Sequence, residues 1–380
     1  MGKLKSFVVT FDNNKDVYQA GEIVSGKLIA DVTEGIKARG VRVRFHGFAW
    51  IHSGDHPQYE HAMHAEPLSF AVPETYFDET ITVWGKELGD RDGENPTLPA
   101  GYYEFPFRHQ LGTGLPSSFE GSRVGYVRYS VKGIIDRPWK LDLTTYYIIT
   151  VLDMLDLNQE PRATMPSGSQ NSKTLCCLCC TSGPIELQAQ TDRGGYCPGE
   201  RIVVKGSVEN NSNTRITKTT AKIVQMVTST GFPPTDGSVP SDTLSSTVEG
   251  PGCSARLSEN IELVLPIPAL PPSGLRYCNV IDIKYVVLVT AHFQGPHRNL
   301  EVELPIIIGS VPLKTLYSGH PNPAYAPATA PPLLPPPTYV EAEAGVDIVD
   351  NIVNRDKYTP SQLYYAPKYM YYDWSQHPQQ

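Results

Sequence analysis

Apolar and polar residues alternate with period two in several short segments of the chain. The alternation is clearest at 41–48 and 127–132, and the segments 7–11 and 146–152 are rich in β-branched and aromatic residues. Such patterns are typical of β-strands with one face on a core and one in water. No segment of even roughly twelve residues has the capped 3.6-residue period of a helix. The pattern therefore predicts an all-β protein.

The second half of the chain repeats short sequence patterns of the first half. The pentapeptide YQAGE at 18–22 recurs as YCPGE at 196–200, and VRYSV at 127–131 recurs as IKYVV at 283–287. The two matches occur in the same order in both halves, which indicates an internal repeat. We therefore expect two β-sandwiches of one kind, each of ordinary domain size.

Changes of composition divide the chain into four parts. We predict a first sandwich over 1–156, a linker over 157–173 that is polar and contains Pro, Gly and Ser, and a second sandwich over 174–313. The tail, 314–380, contains 11 prolines and 9 tyrosines in 67 residues. Such a composition cannot bury enough apolar surface to offset its ordering entropy, so we predict a disordered tail that carries short peptide motifs.

Composition and charge narrow the class of protein. Gly (31) and Pro (34) are frequent, which argues against long helices, and the net charge of −8 argues against nucleic-acid binding. Seven cysteines is an odd number, and four of them fall within five residues, so we expect a reducing compartment, the cytoplasm. We expect neither a signal peptide nor a membrane span, because the sequence contains no apolar run of the required length.

The tail contains one Pro-Pro-x-Tyr motif. Pro336, Pro337 and Tyr339 form it, and Thr338 is the free position. Consecutive prolines preset a polyproline II helix, and a WW domain offers a groove for the prolines and a pocket for the tyrosine. We predict that these residues bind a WW domain.

Two incomplete motifs accompany it. Asn322, Pro323 and Tyr325 match the Asn-Pro-x-Tyr peptides that bind endocytic adaptors or PTB domains. Pro367 and Tyr369 lack only the first proline of a second WW motif, which would strengthen binding through effective concentration. The alternative for both is coincidence in a tail rich in Pro and Tyr.

The cysteine cluster consists of Cys176, Cys177, Cys179 and Cys180. Neighbouring side chains of a strand point to opposite faces, so four thiols this close cannot converge on one metal ion, and we expect no metal there. Buried structural cysteines and S-acylation by a membrane-facing loop remain the two alternatives.

Further candidates have simpler explanations. His52, His56, His61 and His64 could ligate a metal, but their spacing fits a long polar loop better. Gly2 lies in a myristoylation-like pattern, and a basic patch could contact a membrane or a phosphopeptide; its residues are Lys3, Lys5, Arg39, Arg42 and Arg44. No nucleotide-binding or nucleophile motif occurs, so we expect neither an enzyme nor a cofactor.

Seven sequence stretches resemble the arrestin-domain-containing proteins, the α-arrestins, over about residues 1–313. They are DVYQAGEIVSG at 16–26, SFEG at 118–121, VRYSVK at 127–132, RPW at 137–139, TLCC at 174–177, TSGPI at 181–185 and Y-x-PGE at 196–200. The resemblance implies two immunoglobulin-like β-sandwiches, arrestin N and arrestin C, followed by a tail with Pro-Pro-x-Tyr.

The resemblance also implies an adaptor function. The folded part would engage transmembrane cargo such as receptors or transporters, and the tail would recruit a HECT-type E3 ubiquitin ligase through its WW domains. Pro336, Pro337 and Tyr339 would dock the ligase, with recruitment from the cytoplasm to the plasma membrane and endosomes. The alternatives are a ligase-independent, retromer-like cargo-sorting subunit and a metal-dependent enzyme that uses the histidine segment.

Overall fold

The computed structural model describes residues 3–51, 74–90, 92–120, 124–177, 180–229, 241–243, 247–316, 339–343 and 365–374. Strands dominate this part of the chain, and its only helices are three short 3-10 turns at Asp12–Asn14, Leu157–Gln159 and Lys314–Leu316. The prediction of an all-β protein is confirmed.

The described residues of the N-terminal domain form ten strands. They are β1 (Leu4–Phe11), β2 (Val17–Gln19), β3 (Ile23–Val32), β4 (Ile36–Lys37), β5 (Gly40–Ile51), β6 (Glu74–Gly85), β7 (Thr97–Leu98), β8 (Gly101–Gln110), β9 (Gly125–Asp136) and β10 (Leu143–Leu152). A sheet in the order β1-β3-β8 accompanies a larger sheet in the order β2-β10-β9-β5-β6. Phe7, Leu28 and Phe45 are fully buried in its core. The alternation at 41–48 and 127–132 thus gives each strand an apolar face.

Ten strands also lie in the part of the C-terminal domain that the structure describes. They are β11 (Gly168–Cys177), β12 (Cys180–Thr191), β13 (Gly195–Tyr196), β14 (Arg201–Asn210), β15 (Ile216–Ser229), β16 (Ser241–Thr243), β17 (Val248–Gly250), β18 (Leu257–Pro266), β19 (Ile281–Phe293) and β20 (Leu300–Ile308). One sheet has the order β11-β12-β14-β18, and the other has the order β13-β20-β19-β15-β16, with β17 also paired to β15.

The predicted internal repeat is confirmed by the topology. β2, from the first pentapeptide, pairs in parallel with β10, and β13, from the second, pairs in parallel with β20. β9 and β19 hold the other matched segments, and each is the third strand of its sheet. Both strands bury a tyrosine at the same place: Tyr129 donates a hydrogen bond to the carbonyl of Pro116, and Tyr285 donates one to the carbonyl of Pro271.

Part of the predicted linker is a strand. β11 begins at Gly168 and pairs antiparallel with β12, so residues 168–173 belong to the sheet. β11 is the edge strand of that sheet, and most side chains at 168–174 are exposed, which explains why the segment has the polar composition of a linker. The linker prediction is therefore wrong for these residues.

Two short segments of the tail form strands, which the composition of the tail did not predict. They are β21 (Tyr339–Glu343) and β22 (Lys368–Tyr372), which pair with each other antiparallel. β22 packs against both domains, so it uses apolar partners that the composition of the tail does not supply.

Candidate partner-binding site in the tail

The WW motif leads directly into the first tail strand. Tyr339 is the first residue of β21 and lies opposite Tyr372 of β22, while Glu343 lies opposite Lys368. Pro336, Pro337 and Thr338 lie outside the described residues. We call β21 and β22 together the tail hairpin. The tyrosine predicted to enter a WW pocket is therefore part of a two-stranded sheet in this conformation.

The second strand of the hairpin belongs to a longer segment, residues 365–374, which we call the strap. Its first half contacts the N-terminal domain. The Tyr365 hydroxyl donates to the carbonyl of Ile149 at 3.2 Å and lies 3.1 Å from the Thr150 hydroxyl. The Tyr369 hydroxyl donates to the carbonyl of Ser118 at 2.9 Å.

An ion pair fixes the same half of the strap. Lys368 Nζ lies 2.7 Å from Asp16 Oδ2, immediately before β2. Burial alone would lower the pKa of Lys368, but the hydrogen bond and charge of Asp16 outweigh it, so the pKa of the ammonium group is raised. The backbone N–H of Lys368 also donates to the Thr150 hydroxyl at 3.3 Å. Both the backbone and the side chain of Lys368 thus bind the N-terminal domain.

The second half of the strap contacts the C-terminal domain. The backbone N–H of Tyr372 donates to the carbonyl of Pro198 at 3.1 Å, and its hydroxyl donates to the carbonyl of Ser310. Gly199 lies directly beneath: a Cβ atom there would stand 2.2 Å from the carbonyl oxygen of Tyr372. The YCPGE segment of the repeat therefore forms part of the strap's receiving surface.

Apolar burial accompanies these hydrogen bonds. Tyr369 is 2% exposed, Met370 is 5% exposed and Tyr372 is 6% exposed. They share a cluster with residues of both domains, namely Val17, Leu152, Leu157, Ala163, Cys197, Ala269 and Leu313. Burial raises the pKa of the Tyr369 hydroxyl well above its ordinary value. The strap thus lies at the junction of the two domains and closes a second, smaller hydrophobic core.

This placement changes the interpretation of the incomplete motif. Pro367 and Tyr369 were expected to offer an accessible second WW contact, but both are buried. In this conformation the Tyr369 ring is therefore not presented to a WW domain. Asn322, Pro323 and Tyr325 lie outside the described residues, and their motif stays a prediction.

Three residues of the cysteine cluster lie at adjoining strand ends: Cys176 and Cys177 end β11, and Cys180 begins β12. Cys176 is opposite Thr181, and Cys177 is opposite Cys180. Cys179 lies outside the described residues, so S-acylation stays a prediction. The described ranges contain no group of three or more His, Cys, Asp or Glu side chains arranged to hold a metal ion. The four histidines at 52–64 lie outside those ranges.

The structure does not support a basic patch at the five Lys and Arg residues near the N-terminus. Arg39 and Arg42 both pair with Asp136, Arg44 pairs with Asp78, and Lys5 lies 3.4 Å from Asp31. Arg42 is also almost completely buried. Carboxylates therefore pair with four of the five cationic side chains, which leaves no cluster of unpaired charge at these five positions for a membrane or a phosphopeptide.

Sequence reasoning also missed the residues that receive the strap. Asp16, Ser118, Pro198 and Ser310 are far from the strap in the chain, and no local pattern links them to it. The one available signal was the pentapeptide repeat, because Asp16 lies just before its first copy and Pro198 within its second.

Comparison with known proteins defines the class first. The family model of the arrestin (or S-antigen) N-terminal domain matches residues 7–158, and that of the arrestin C-terminal domain matches residues 181–313. The chain is thus a two-domain arrestin-fold protein, as the resemblance implied.

Individual relatives define the family. Arrestin domain-containing protein 17 of Caenorhabditis elegans is 32% identical over 323 residues, which cover 82% of this chain and 72% of the relative. Arrestin domain-containing protein 4 of Mus musculus is 30% identical over 323 residues, covering 84% and 74%. The chain belongs to the arrestin domain-containing protein family. Within its described residues, no helix has the length and hydropathy to cross a bilayer.

Proposed function

We propose that this chain is an adaptor that brings a HECT-type E3 ubiquitin ligase to transmembrane cargo such as receptors or transporters. Family membership supports a general adaptor role in protein trafficking. The ligase half of the proposal rests on one observation: Pro336, Pro337 and Tyr339 form a Pro-Pro-x-Tyr motif in a tail that follows two arrestin domains. This motif is the peptide type that WW domains bind.

The mechanism is proximity. The chain holds ligase and cargo together, which raises their effective concentration, and the ligase performs the chemistry. The arrestin domains engage the cargo from the cytoplasm, at the plasma membrane and on endosomes. Ubiquitinated cargo then enters endocytosis and endosomal sorting, with endocytic adaptors as further partners.

The direct test is titration of the full-length chain with an isolated WW domain from a HECT-type ligase. Tyr339→Ala removes the ring that fills the WW pocket, and we expect binding to weaken by about tenfold or more. Thr338→Ala alters the free position of the same motif and is the matched control, with affinity expected to stay within about twofold. Equal affinity of Tyr339→Ala and the unaltered chain would refute ligase docking at this motif.

Sorting of cargo in cells separates this function from that of a ligase-independent, retromer-like subunit. Tyr339→Ala should stop cargo ubiquitination and downregulation if the ligase is required, whereas a ligase-independent subunit would continue to sort cargo. This point variant is better than deletion of the tail, because deletion also removes the strap that packs on both domains.

A further inference from the structure

The groove between the two domains holds the strap as a ligand is held. Neighbouring residues of a strand point to opposite faces, yet Tyr369 and Met370, which are adjacent, are 2% and 5% exposed. Both faces of β22 are therefore covered, as in a groove rather than on an open surface. We define the interdomain groove by the residues that contact the strap: Asp16, Ser118, Ile149, Thr150, Pro198, Gly199 and Ser310.

We propose that the interdomain groove is a binding site for the strap, and that strap docking competes with WW-domain binding at Tyr339. The second half rests on the ligase docking proposed above. The occupant of the groove is this chain's own segment 365–374. Its recognition elements are three tyrosines, Tyr365, Tyr369 and Tyr372, that donate to backbone carbonyls and one lysine that pairs with Asp16.

The groove requires both domains in their observed arrangement. Lys368 and Tyr369 bind the N-terminal domain, and Tyr372 binds the C-terminal domain only three residues later. Two further contacts join the domains: Arg276 Nε lies 2.8 Å from Asp153 Oδ2, and the N–H of Asn279 donates to Glu74 Oε2 at 2.9 Å. The strap can therefore make all of these contacts only when the two domains keep this relative position.

The tail hairpin couples strap docking to the WW motif, because the docked strand β22 pairs with the strand that begins at Tyr339. Tyr339 pairs with Tyr372, so the two Cα atoms are roughly 4.5–5.5 Å apart. Tyr372 is itself buried against the C-terminal domain. A WW domain must surround the prolines and the tyrosine, and it binds them as polyproline II rather than as a paired strand. The hairpin must therefore open before a WW domain can bind Tyr339.

Competition has a measurable consequence. When only a fraction of molecules has the strap released, the apparent dissociation constant of the WW domain exceeds the intrinsic constant by the reciprocal of that fraction. Any change that expels the strap without altering the motif should tighten WW binding. Conversely, a bound WW domain should expose the strap.

Two glycines of the repeat provide a matched pair of variants. Gly199 and Gly21 have similar positive φ angles, +93° and +87°, so alanine causes similar backbone strain at both. A Cβ on Gly199 would stand 2.2 Å from the Tyr372 carbonyl oxygen, whereas a Cβ on Gly21 would stand 3.2 Å from a methyl group of Thr113. Only Gly199→Ala therefore blocks the strap, and it leaves the tail sequence unchanged.

The experiment measures two quantities on the full-length chain: the affinity of the isolated WW domain and amide hydrogen exchange over 368–372. We expect Gly199→Ala to speed exchange there and to tighten WW binding by roughly threefold or more relative to the unaltered chain. Gly21→Ala should change neither. A second strap variant, Tyr369→Ala with Tyr372→Ala, should match Gly199→Ala, while Tyr102→Ala, at a tyrosine that is 63% exposed, should not.

The outcomes separate the two proposals. If Tyr339→Ala abolishes WW binding but both strap variants bind as the unaltered chain does, competition is refuted and ligase docking stands. If neither the unaltered chain nor any variant binds a WW domain, ligase docking and competition both fail. Exchange over 368–372 then still decides whether the strap occupies the groove. Fast exchange in the unaltered chain refutes strap docking. Unchanged exchange at saturating WW domain refutes competition.

Discussion

A single buried hydroxyl links a core strand to a connecting segment in each domain. Tyr129 donates to the carbonyl of Pro116 at 2.7 Å, and Tyr285 donates to the carbonyl of Pro271 at 2.9 Å while accepting from the Gln225 amide at 2.9 Å. Burial raises the pKa of both hydroxyls, so both remain protonated donors. A buried ring with a satisfied hydroxyl stabilises a core, and the same hydroxyl makes the position intolerant of substitution.

We predict that Tyr285→Phe destabilises the chain by about 1–3 kcal/mol, because it leaves the Pro271 carbonyl and the Gln225 amide without this partner in a buried site. Chemical denaturation monitored by fluorescence measures the change. Tyr102→Phe is the control, since Tyr102 is 63% exposed and its loss should stay within about 0.5 kcal/mol. Equal stabilities of the two variants would show that the hydroxyl of Tyr285 contributes nothing.

At the scale of elements, the junction of β5 and β9 depends on one carboxylate. Asp136 ends β9 and accepts from Arg39, immediately before β5, and from Arg42, near the start of β5. The Arg42 side chain is only 4% exposed, so its charge has lost nearly all contact with water. By contrast, Asp78 on β6 pairs with Arg44, and both side chains are about 40% exposed, at 41% and 39%.

Asp136→Ala should therefore cost about 3 kcal/mol or more, because it leaves a buried guanidinium without its carboxylate. Asp78→Ala should cost no more than about 1 kcal/mol, because water replaces the lost partner. Thermal unfolding of both variants against the unaltered chain measures the difference. Similar losses in the two would contradict the role assigned to burial.

The sequence could predict strands with one buried face but not an exposed edge strand. β5 and β9 alternate because one face of each packs on a core, and that information lies within a few residues. β11 could not be found in this way, since it is an edge strand with largely exposed side chains and its existence depends on pairing with β12. Local hydrophobic patterns predict strands that bury one face. They do not predict an exposed edge strand that is stabilised by backbone pairing with its neighbour.

In the candidate site, the WW motif could be predicted from the sequence and the docking of the strap could not. The WW motif is a contiguous peptide, so Pro336, Pro337 and Tyr339 were found from the sequence alone. The strap was not, because a tail of this composition cannot build its own core, and its apolar partners Val17 and Leu313 come from the folded domains. Contacts this distant in the chain leave no periodic signal in either segment.

At the scale of the whole molecule, the strap contributes to how the two domains are held together. It contacts Asp16 and Ser118 of one domain and Pro198 and Ser310 of the other, and it completes the apolar cluster at their junction. Burial of its apolar side chains is favourable and ordering of its backbone is unfavourable, so the net contribution is smaller than the burial effect alone and the contact can be reversed.

We predict that a chain ending at residue 316 loses about 1–3 kcal/mol of stability relative to the full chain, because the cluster around Leu157 and Leu313 becomes exposed. Thermal unfolding should fall by a few degrees. Amide exchange should accelerate at Leu157 and Val311, whose backbones hydrogen-bond across the domain junction. The full-length Tyr339→Ala variant is the control, because it keeps the strap sequence. Unchanged exchange at the junction in the shortened chain would mean that the domains hold their arrangement without the strap.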